Sequence, residues 1–472
     1  MARVVESRKA AAINPLKMSQ PLGAALAFLG LQGCMPLMHG SQGCTSFGLV
    51  LLVRHFKESI PLQTTAMNET TTILGGFDNL ERALLNIRQR AQPALVAICS
   101  TGLTETRGDD VMGHLKLIRQ RHPELADTEV VFASTPDYVG AFQDGWARAV
   151  EALVTQLPRR GAPSRADTVA VLPGCHLSPG DIDELRELIE AFGLQPVFVP
   201  DLSGSLDGHI PERWLGTTLG GTTLADLQAL SGVAHVLAIG EQMRPAAQAL
   251  QAAHGLSFTL FERLTGLAAS DAFVAKLAEL SGREVPARVR RQRSQLVDTL
   301  LDAHFHLGGL RVAIGAEPDL LCAVAHTLAE VGAEIVVAVT TTRSPVLEAL
   351  PVGEVVIGDL DDFERSARAT GCELLITHAH GRQAAERLKK PLLRVGIPMF
   401  DRIGNAHIRQ VGYRGTRDMV NAVANLMLDH QPHHGPDHWP LPAASRLAAV
   451  AHLPARIPRR CRPGETEAAA SA

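Results

Sequence analysis

A glycine-rich turn near the N-terminus holds the cysteine whose surroundings best suit chemistry. The turn runs from His39 through Gly40 and Gly43 to Cys44, and residues 47–56 behind it form a predicted apolar helix. A helix N-terminus offers free N–H groups and a positive dipole end, which stabilise a thiolate or an anionic iron–sulfur cluster. Glycines there would let backbone amides approach cluster sulfides closely. The pattern predicts either a metal ligand at Cys44 or a buried structural cysteine in a tight turn.

The other six cysteines have no regular ligand spacing. Cys34 lies ten residues before Cys44, a spacing that matches no ligand pattern known to us, and Cys99 ends a predicted core strand. The rest are interpreted as structural or incidental: Cys175, Cys322, Cys372 and Cys461. Seven irregularly spaced cysteines also do not form a disulfide framework, so reduced thiols are expected.

Common catalytic signatures are missing from the sequence. It contains no G-x-x-x-x-G-K-[ST] phosphate loop, no C-x-x-C, no H-E-x-x-H and no G-x-G-x-x-G after a predicted strand. The segment around Ser41 approaches a nucleophile elbow, but His39 stands where that motif needs glycine. We therefore predict no catalytic residue.

Composition limits the class of protein further. The 472 residues include 45 Lys and Arg against 49 Asp and Glu, a formal charge of −4, which argues against nucleic-acid binding by bulk charge. The 46% apolar and 20% charged content is typical of a folded chain, and 4% aromatic residues argue against binding grooves built on stacking. No apolar run reaches the roughly 20 residues of a membrane span, and no export signal is recognised. A cytoplasmic location is expected.

Hydrophobic periodicity predicts an α/β fold of three tandem Rossmann-like units, each a mainly parallel sheet flanked by helices. A buried strand at 94–99, a turn at 100–108, a helix at 111–121 and a strand at 129–133 illustrate the repeat. The repeat restarts at Thr168 and at Leu310. The predicted domains are residues 1–165, 166–308 and 309–430, followed by an irregular tail at 431–472. Three tail histidines are expected to be solvated, not metal-bound: His433, His434 and His438.

Several segments, in their order and spacing, resemble the nitrogenase component 1 β-subunit superfamily. They include residues 14–23, 39–44 and 54–58, and matching blocks continue to about residue 429. Residues 200–209 are similar to the branch that serves biosynthesis of the iron–molybdenum cofactor. This resemblance implies a scaffold subunit that, with a partner chain named NifE, holds the cofactor precursor while molybdenum and homocitrate are added. It also implies an α2β2 heterotetramer to which the nitrogenase iron protein docks.

The resemblance implies a role for Cys44 as a cluster ligand. Catalytic β subunits supply three cysteines to an eight-iron P-cluster; Cys44 matches one, whereas Ser19 and Gly102 stand where the others would be. A [4Fe-4S] cluster needs about four ligands, so NifE would have to supply the remainder. An alternative is the β subunit of a nitrogenase-like reductase, against which Ser19 and Gly102 count. A hydrolase using the Cys44 thiol lacks a recognisable histidine and acid.

Four nearby residues have both a functional and a structural interpretation. His39 is either a donor to cluster sulfurs or a turn-stabilising imidazole, and the second is favoured. Asp137 stands where catalytic β subunits often carry a serine near the cluster, but a helix cap or solvated turn is favoured. Arg54 and His55 are expected to pack at the subunit interface instead of touching a cluster.

Overall fold

The computed structural model describes residues 1–212 and 214–430. Three separate sheets form within these residues, and the paired strands of each sheet run parallel. Parallel strands need crossover connections, and here helices supply them and cover the sheet faces. The predicted α/β class with several helix-flanked parallel sheets is confirmed. The predicted tail with its three histidines, and Cys461, lie outside the described residues.

The strands fall into three groups along the chain. They are β1 (Arg3–Glu6), β2 (Cys34–His39), β3 (Gln63–Thr64), β4 (Leu95–Ser100), β5 (Glu129–Ala133), β6 (Arg165–Leu172), β7 (Gln195–Phe198), β8 (Val233–Ile239), β9 (Phe258–Phe261), β10 (Arg311–Gly315), β11 (Glu334–Thr340), β12 (Glu354–Ile357), β13 (Leu374–Thr377) and β14 (Leu392–Arg394). The sheet orders are β3-β2-β4-β5, β7-β6-β8-β9 and β1-β12-β11-β10-β13-β14.

Helices follow most strands. They are α1 (Gln20–Leu29), α2 (Gln42–Phe56), α3 (Glu69–Leu74), α4 (Phe77–Ala91), α5 (Gly102–Arg107), α6 (Val111–Arg121), α7 (Phe142–Gln156), α8 (Pro179–Ala191), α9 (Leu224–Gln228), α10 (Arg244–His254), α11 (Leu267–Ser281), α12 (Ala287–Leu307), α13 (Pro318–Glu330), α14 (Leu360–Thr370), α15 (Arg382–Leu388) and α16 (Gly412–His430). Among the described residues, no helix is long and apolar enough to cross a membrane.

Two predicted elements near Cys44 are wrong in their bounds. Helix α2 begins at Gln42 instead of residue 47, so Cys44 lies inside its first turn. That turn is polar, so hydrophobic periodicity could not detect it. The predicted turn at 100–108 contains the short helix α5, which begins where the Thr101 amide donates to Thr104 Oγ1 at 3.1 Å. In contrast, β5 and α6 have the predicted bounds.

Strand register in the first sheet brings two turns together. Strand β2 pairs with β4 so that His39 lies opposite Ser100, and Gly40 and Thr101 leave the sheet side by side at its carboxyl edge. A Cβ at Gly40 would lie 2.1 Å from Thr101 Oγ1, so this close approach requires glycine. Ligand sites in parallel sheets usually form at such an edge. The register thus positions the Cys44 turn beside the start of α5.

Contacts between the sheets are extensive. Trp146 on α7 is fully buried, and its indole N–H donates to the Pro173 carbonyl, at 2.9 Å, in the turn that follows β6. Strand β1 joins the third sheet by pairing with β12, with Arg3 opposite Glu354. The first residues of the chain therefore belong to the sheet formed by its last third. The domain boundaries near residues 165 and 308 stay predictions.

Candidate functional site

The Cys44 turn leaves the first amides of α2 without a side-chain cap. Ser41 is the N-cap residue, yet its side chain accepts no capping hydrogen bond; its hydroxyl instead donates to Cys44 Sγ at 3.4 Å. No acidic residue occupies the first turn, and Cys44, the third residue of α2, is exposed. Uncapped amides and the positive dipole end favour an anion there. The turn therefore suits a thiolate or an anionic metal centre.

Accessibility separates Cys44 from the other described cysteines, all of which are buried: Cys34, Cys99, Cys175, Cys322 and Cys372. Burial raises the pKa of the Cys99 thiol to about 12 and also raises the pKa of Cys34 and Cys175. A buried thiol that keeps its proton is a poor metal ligand, since the thiolate is the ligating form. Of the cysteines in the described part of the chain, only Cys44 can reach an external group.

A cavity of about 540 Å³ opens beside Cys44. Ser19 at the start of α1, Cys44 and Phe47 on α2, Thr101 and Asp137 all line it. The structure thus brings Cys44 and Ser19, two positions that the resemblance linked to cluster ligation, to one cavity. Most of the remaining wall is apolar, which would exclude water from a bound centre.

Gly102 is next to this cavity. It follows Thr101 and begins α5, and a Cβ built on it would lie 3.0 Å from the Asp137 Cβ. Asp137 lies in a turn and not at a helix cap; burial raises its pKa, whereas nearby Lys17 opposes that rise. The three positions that the resemblance linked to the cysteines of a catalytic β subunit therefore lie around one site. In this chain only Cys44 offers a thiol there.

The two glycines of the turn differ in their surroundings. Gly40 is held against Thr101, as described above, whereas a Cβ at Gly43 would meet no atom within 4 Å. Gly43 therefore faces open space one residue before Cys44. An anionic group could approach the helix N-terminus there without meeting a side chain. Both glycines are expected from the sequence to let a cluster approach the backbone, but of the two only Gly43 has open space beside it.

His39 is a buried, neutral residue with contacts inside the turn. Its Nδ1 lies 3.0 Å from Thr65 Oγ1, and its Nε2 lies 3.7 Å from Asp109 Oδ2. Burial lowers the pKa of His39 to about 4, while Asp109 opposes the change. His39 is not among the residues that line the cavity. Its contacts support the turn-stabilising interpretation.

Arg54 and His55 pack within this chain. The Met399 amide donates to Nδ1 of His55 at 2.9 Å, and burial lowers the pKa of that imidazole to about 3. The guanidinium of Arg54 lies 4.4 Å from the centre of the Phe400 ring. The expected subunit-interface role is therefore wrong for the buried His55, which fixes the end of α2 to the 398–405 segment.

The third-sheet side of the cavity was not anticipated from the sequence. His380, Arg382 and Phe400 line it, although more than 300 residues separate them from Cys44. Neither motif nor periodicity connects these residues to the turn; only the tertiary packing of α2 against the 398–405 segment does so. No local sequence signal could have found them.

Large apolar side chains are exposed on α2 and at the end of α3. On α2, Phe47, Val50 and Val53 are 69%, 51% and 38% exposed, and their spacing of three places them along one side of the helix. Ile73 and Leu74, at the end of α3, are 79% and 78% exposed. The three side chains on α2 form an exposed apolar stripe, a kind of surface that often marks protein interaction sites.

Comparison with known proteins identifies the family. Residues 19–428 match the family model described as nitrogenase component 1 type oxidoreductase. A chain of the solved structure "Nitrogenase Cp1 at pH 6.5" superposes with a TM-score of 0.85 at 31% identity, covering 90% of this chain and 95% of that one. The chain therefore belongs to the nitrogenase component 1 type oxidoreductase family.

Within this family the chain is similar to proteins named "Nitrogenase iron-molybdenum cofactor biosynthesis protein NifN". It is 56% identical to the one from Bradyrhizobium diazoefficiens over 445 residues, which cover 93% of this chain and 95% of that relative. It is 49% identical to the one from Rhodobacter capsulatus, covering 97% of this chain and 100% of that relative. The resemblance stated from the sequence is confirmed.

Proposed function

We propose that this chain is a scaffold subunit for biosynthesis of the iron–molybdenum cofactor of nitrogenase. The names of its NifN relatives support this function directly. The observation that carries it in the structure is the thiol of Cys44, the exposed one among the described cysteines. It lies on a cavity that Ser19 lines and Gly102 adjoins, and by the resemblance these two residues stand where a catalytic β subunit has its other cysteines. The chain belongs to a family of oxidoreductases but keeps only one of the three P-cluster ligands.

The cluster at this site is a [4Fe-4S] cluster shared with a partner chain. A cubane takes about four protein ligands, and Cys44 supplies one. The α-subunit-like partner, NifE, supplies the rest across an interface that covers Phe47, Val50 and Val53. The exposed thiol, the uncapped first turn of α2 and the open space at Gly43 fit an anionic cluster.

The assembly is an α2β2 heterotetramer that holds the cofactor precursor while molybdenum and homocitrate are added. Exposed apolar residues away from the cavity, Leu301 at 65% and Phe305 at 84% on α12, provide surface for a second contact. The nitrogenase iron protein docks to the complex, and the exposed end of α3 at Ile73 and Leu74 is available near the Cys44 turn.

Two other functions fit the site less well. A nitrogenase-like reductase β chain with an eight-iron cluster would need thiols at positions 19 and 102, where this chain has serine and glycine. A thiol hydrolase would need a base beside its nucleophile. Among the described residues, the hydrogen-bond partner recorded for Cys44 Sγ is Ser41, not a histidine.

Replacement of Cys44 tests the proposal. The complex with the partner chain is purified for wild type, Cys44→Ala and Cys34→Ala, and iron per complex and the reduced-state EPR signal are measured. We expect Cys44→Ala to lose or labilise the interface cluster while the fold survives, because the side chain is exposed. Cys34→Ala should keep its cluster, since Cys34 is buried in β2. Loss of the cluster in the Cys34 variant alone would contradict the assignment.

A further inference from the structure

A series of polar contacts connects the Cys44 turn to the exposed end of α3. It begins at the His39 carbonyl, which accepts hydrogen bonds from Thr101 Oγ1 and Thr104 Oγ1, each at 3.1 Å. The hydroxyl of Thr65 lies 3.0 Å from His39 Nδ1 and accepts from the Gly40 amide, also at 3.0 Å. The Thr65 side chain therefore holds both His39, the last residue of β2, and Gly40, the residue that follows it.

The next link is a close approach between two buried side chains. His39 Nε2 and Asp109 Oδ2 lie 3.7 Å apart, with side chains that are 0% and 4% exposed, and neither atom has a hydrogen-bond partner among the described residues. Since Thr65 can donate to Nδ1, the tautomer with a proton on Nε2 places that proton toward the carboxylate. A Cβ at Gly76 would lie 2.6 Å from His39 Cε1 and 2.9 Å from Asp109 Oδ2, so this approach requires glycine at position 76.

Arg107 completes the series. Its Nε donates to Asp109 Oδ1 at 2.9 Å. Its Nη1 donates to the carbonyls of Thr72 and Ile73 at 2.9 and 3.2 Å. These carbonyls belong to the C-terminal part of α3, a helix without a buried residue. Arg107 thus satisfies otherwise free carbonyls at a helix end. The side chains of Ile73 and Leu74, at this end of α3, are 79% and 78% exposed.

We propose that Asp109 is a positioning residue that joins the end of α3 to the Cys44 turn through Arg107 and His39. Its two carboxylate oxygens face the two neighbours separately, one toward the guanidinium and one toward the imidazole. A contact that immobilises Ile73 and Leu74 would consequently also order the turn that carries Cys44. The effect of an ordered Cys44 turn on cluster binding rests on the proposed function. The connection from α3 to that turn through Asp109 does not.

Hydrogen–deuterium exchange of the purified complex tests the connection. Arg107→Gln removes the link at the α3 end, and Asp109→Asn weakens the central link while keeping its shape. We expect each variant to raise exchange in both residues 40–45 and 72–76, by about threefold or more, relative to the buried core strand β8. For Asp109→Asn, the line shape of the cluster's EPR spectrum should change without a loss of iron. A loss of stability elsewhere in the chain would not change that line shape.

A matched control comes from an ion pair elsewhere. Arg88 binds Asp127 through Nε and a terminal nitrogen, at 3.0 and 2.7 Å, on the surface formed by α4. Arg88→Gln therefore removes an arginine–aspartate pair of similar length whose aspartate is 62% exposed, against 4% for Asp109, and it should leave exchange at 40–45 and 72–76 unchanged. A rise confined to 72–76 in Arg107→Gln, or confined to 40–45 in Asp109→Asn, would overturn the connection. Retention of the cluster in Cys44→Ala would overturn the proposed function but would leave this result standing.

Discussion

Two cysteine-bearing turns follow parallel strands in this molecule, and they differ in what covers them. The turn after β2 carries Cys44, exposed beside an apolar cavity. The turn after β6 carries Cys175, buried, with its amide donating to Gln242 Oε1 at 3.3 Å. In the second turn the Cys175 amide therefore has a partner within the chain, and Gln242 itself donates to Asp319 Oδ2 from its backbone and side-chain nitrogens.

A position at a sheet edge does not by itself make a site. Both turns lie where parallel sheets usually bind ligands. At Cys175 the edge is closed by α7, α13 and the turn after β8, so the thiol is part of the core. At Cys44 the first turn of α2 is left for an external group. The difference lies in tertiary cover, which neither turn's own sequence encodes.

The largest effect is expected where α7 closes the Cys175 edge. Trp146→Ala removes a fully buried indole whose N–H donates to Pro173, and it should lower the free energy of unfolding by about 3–5 kcal/mol. Urea denaturation of the complex measures this change. Trp146→Phe keeps most of the packing and should cost less. A Trp146→Ala variant as stable as wild type would show that the edge is not held closed in this way.

The next largest effect is expected in thiol reactivity, which should differ between Cys44 and Cys175. In a Cys461→Ala background, which removes the cysteine outside the described residues, iodoacetamide should label Cys44 of the isolated chain first. Burial keeps Cys175 protonated and inaccessible, so it should react only on unfolding. Mass spectrometry of the labelled peptides gives the order. Addition of the partner and cluster should protect Cys44; labelling of Cys175 before Cys44 would reverse the comparison.

The buried histidines and the buried acids of this chain should make stability depend on pH in opposite directions. Burial lowers the pKa of His55 to about 3, below its usual 6.5, so the unfolded chain binds more protons and stability falls as pH drops from about 6.5. Burial raises the pKa of Glu317 to about 8 and of Asp319 to about 7. Here the folded chain binds more protons, so stability falls as pH rises from about 4.5 toward 8.

Conservative variants test which residues cause the loss of stability in acid and the loss toward pH 8. Glu317→Gln should flatten the decline on the alkaline side, and His55→Gln should flatten it on the acid side, in denaturation midpoints measured from pH 5 to 8. Burial also lowers the pKa of His176, next to Cys175, to about 4, so His55 accounts for only part of the loss of stability in acid. The buried acids Glu317 and Asp319 limit stability toward pH 8. If Glu317→Gln leaves the alkaline slope unchanged, the buried acids near Cys175 are not its origin.

These residues also show how far sequence reasoning reaches. Strand β5 and helix α6 have the predicted bounds because each carries a clear hydrophobic period. Hydrophobic periodicity does not predict the first turn of α2, because its residues are polar or small. It does not predict α5 either, because that capped helix has only six residues. Cys44 was found through the glycines and the family resemblance.

The surroundings of Cys44 could not be predicted in the same way. The contact of His39 with Asp109 spans 70 residues and needs a glycine at position 76 that no periodicity marks. The contribution of Phe400 to the cavity depends on the packing of α2 against the third sheet's connections. Such contacts depend on the relative placement of elements, for which a single sequence carries no local signal.

The smallest effect is expected from substitution of Gly43, one of the two glycines in the Cys44 turn. Comparison with the same substitution at Gly40 tests whether the open space beside Gly43 matters for cluster binding. Gly43→Ala places a methyl group where no atom lies within 4 Å, in a helical position where alanine is favoured by about 0.8–1.0 kcal/mol. The isolated chain should therefore become slightly more stable. The same methyl group occupies the approach to the α2 amides, so iron per complex should fall. Thermal denaturation and iron analysis measure the two effects.

Gly40→Ala is the counterpart, because its Cβ would lie 2.1 Å from Thr101 Oγ1. This overpacking should cost about 1–3 kcal/mol and should displace the turn as a whole. Gly43→Ala would thus separate stability from cluster binding, whereas Gly40→Ala would lower both. If Gly43→Ala raised stability and kept its full iron content, the open space beside Cys44 would not be the path by which the anionic group reaches the helix.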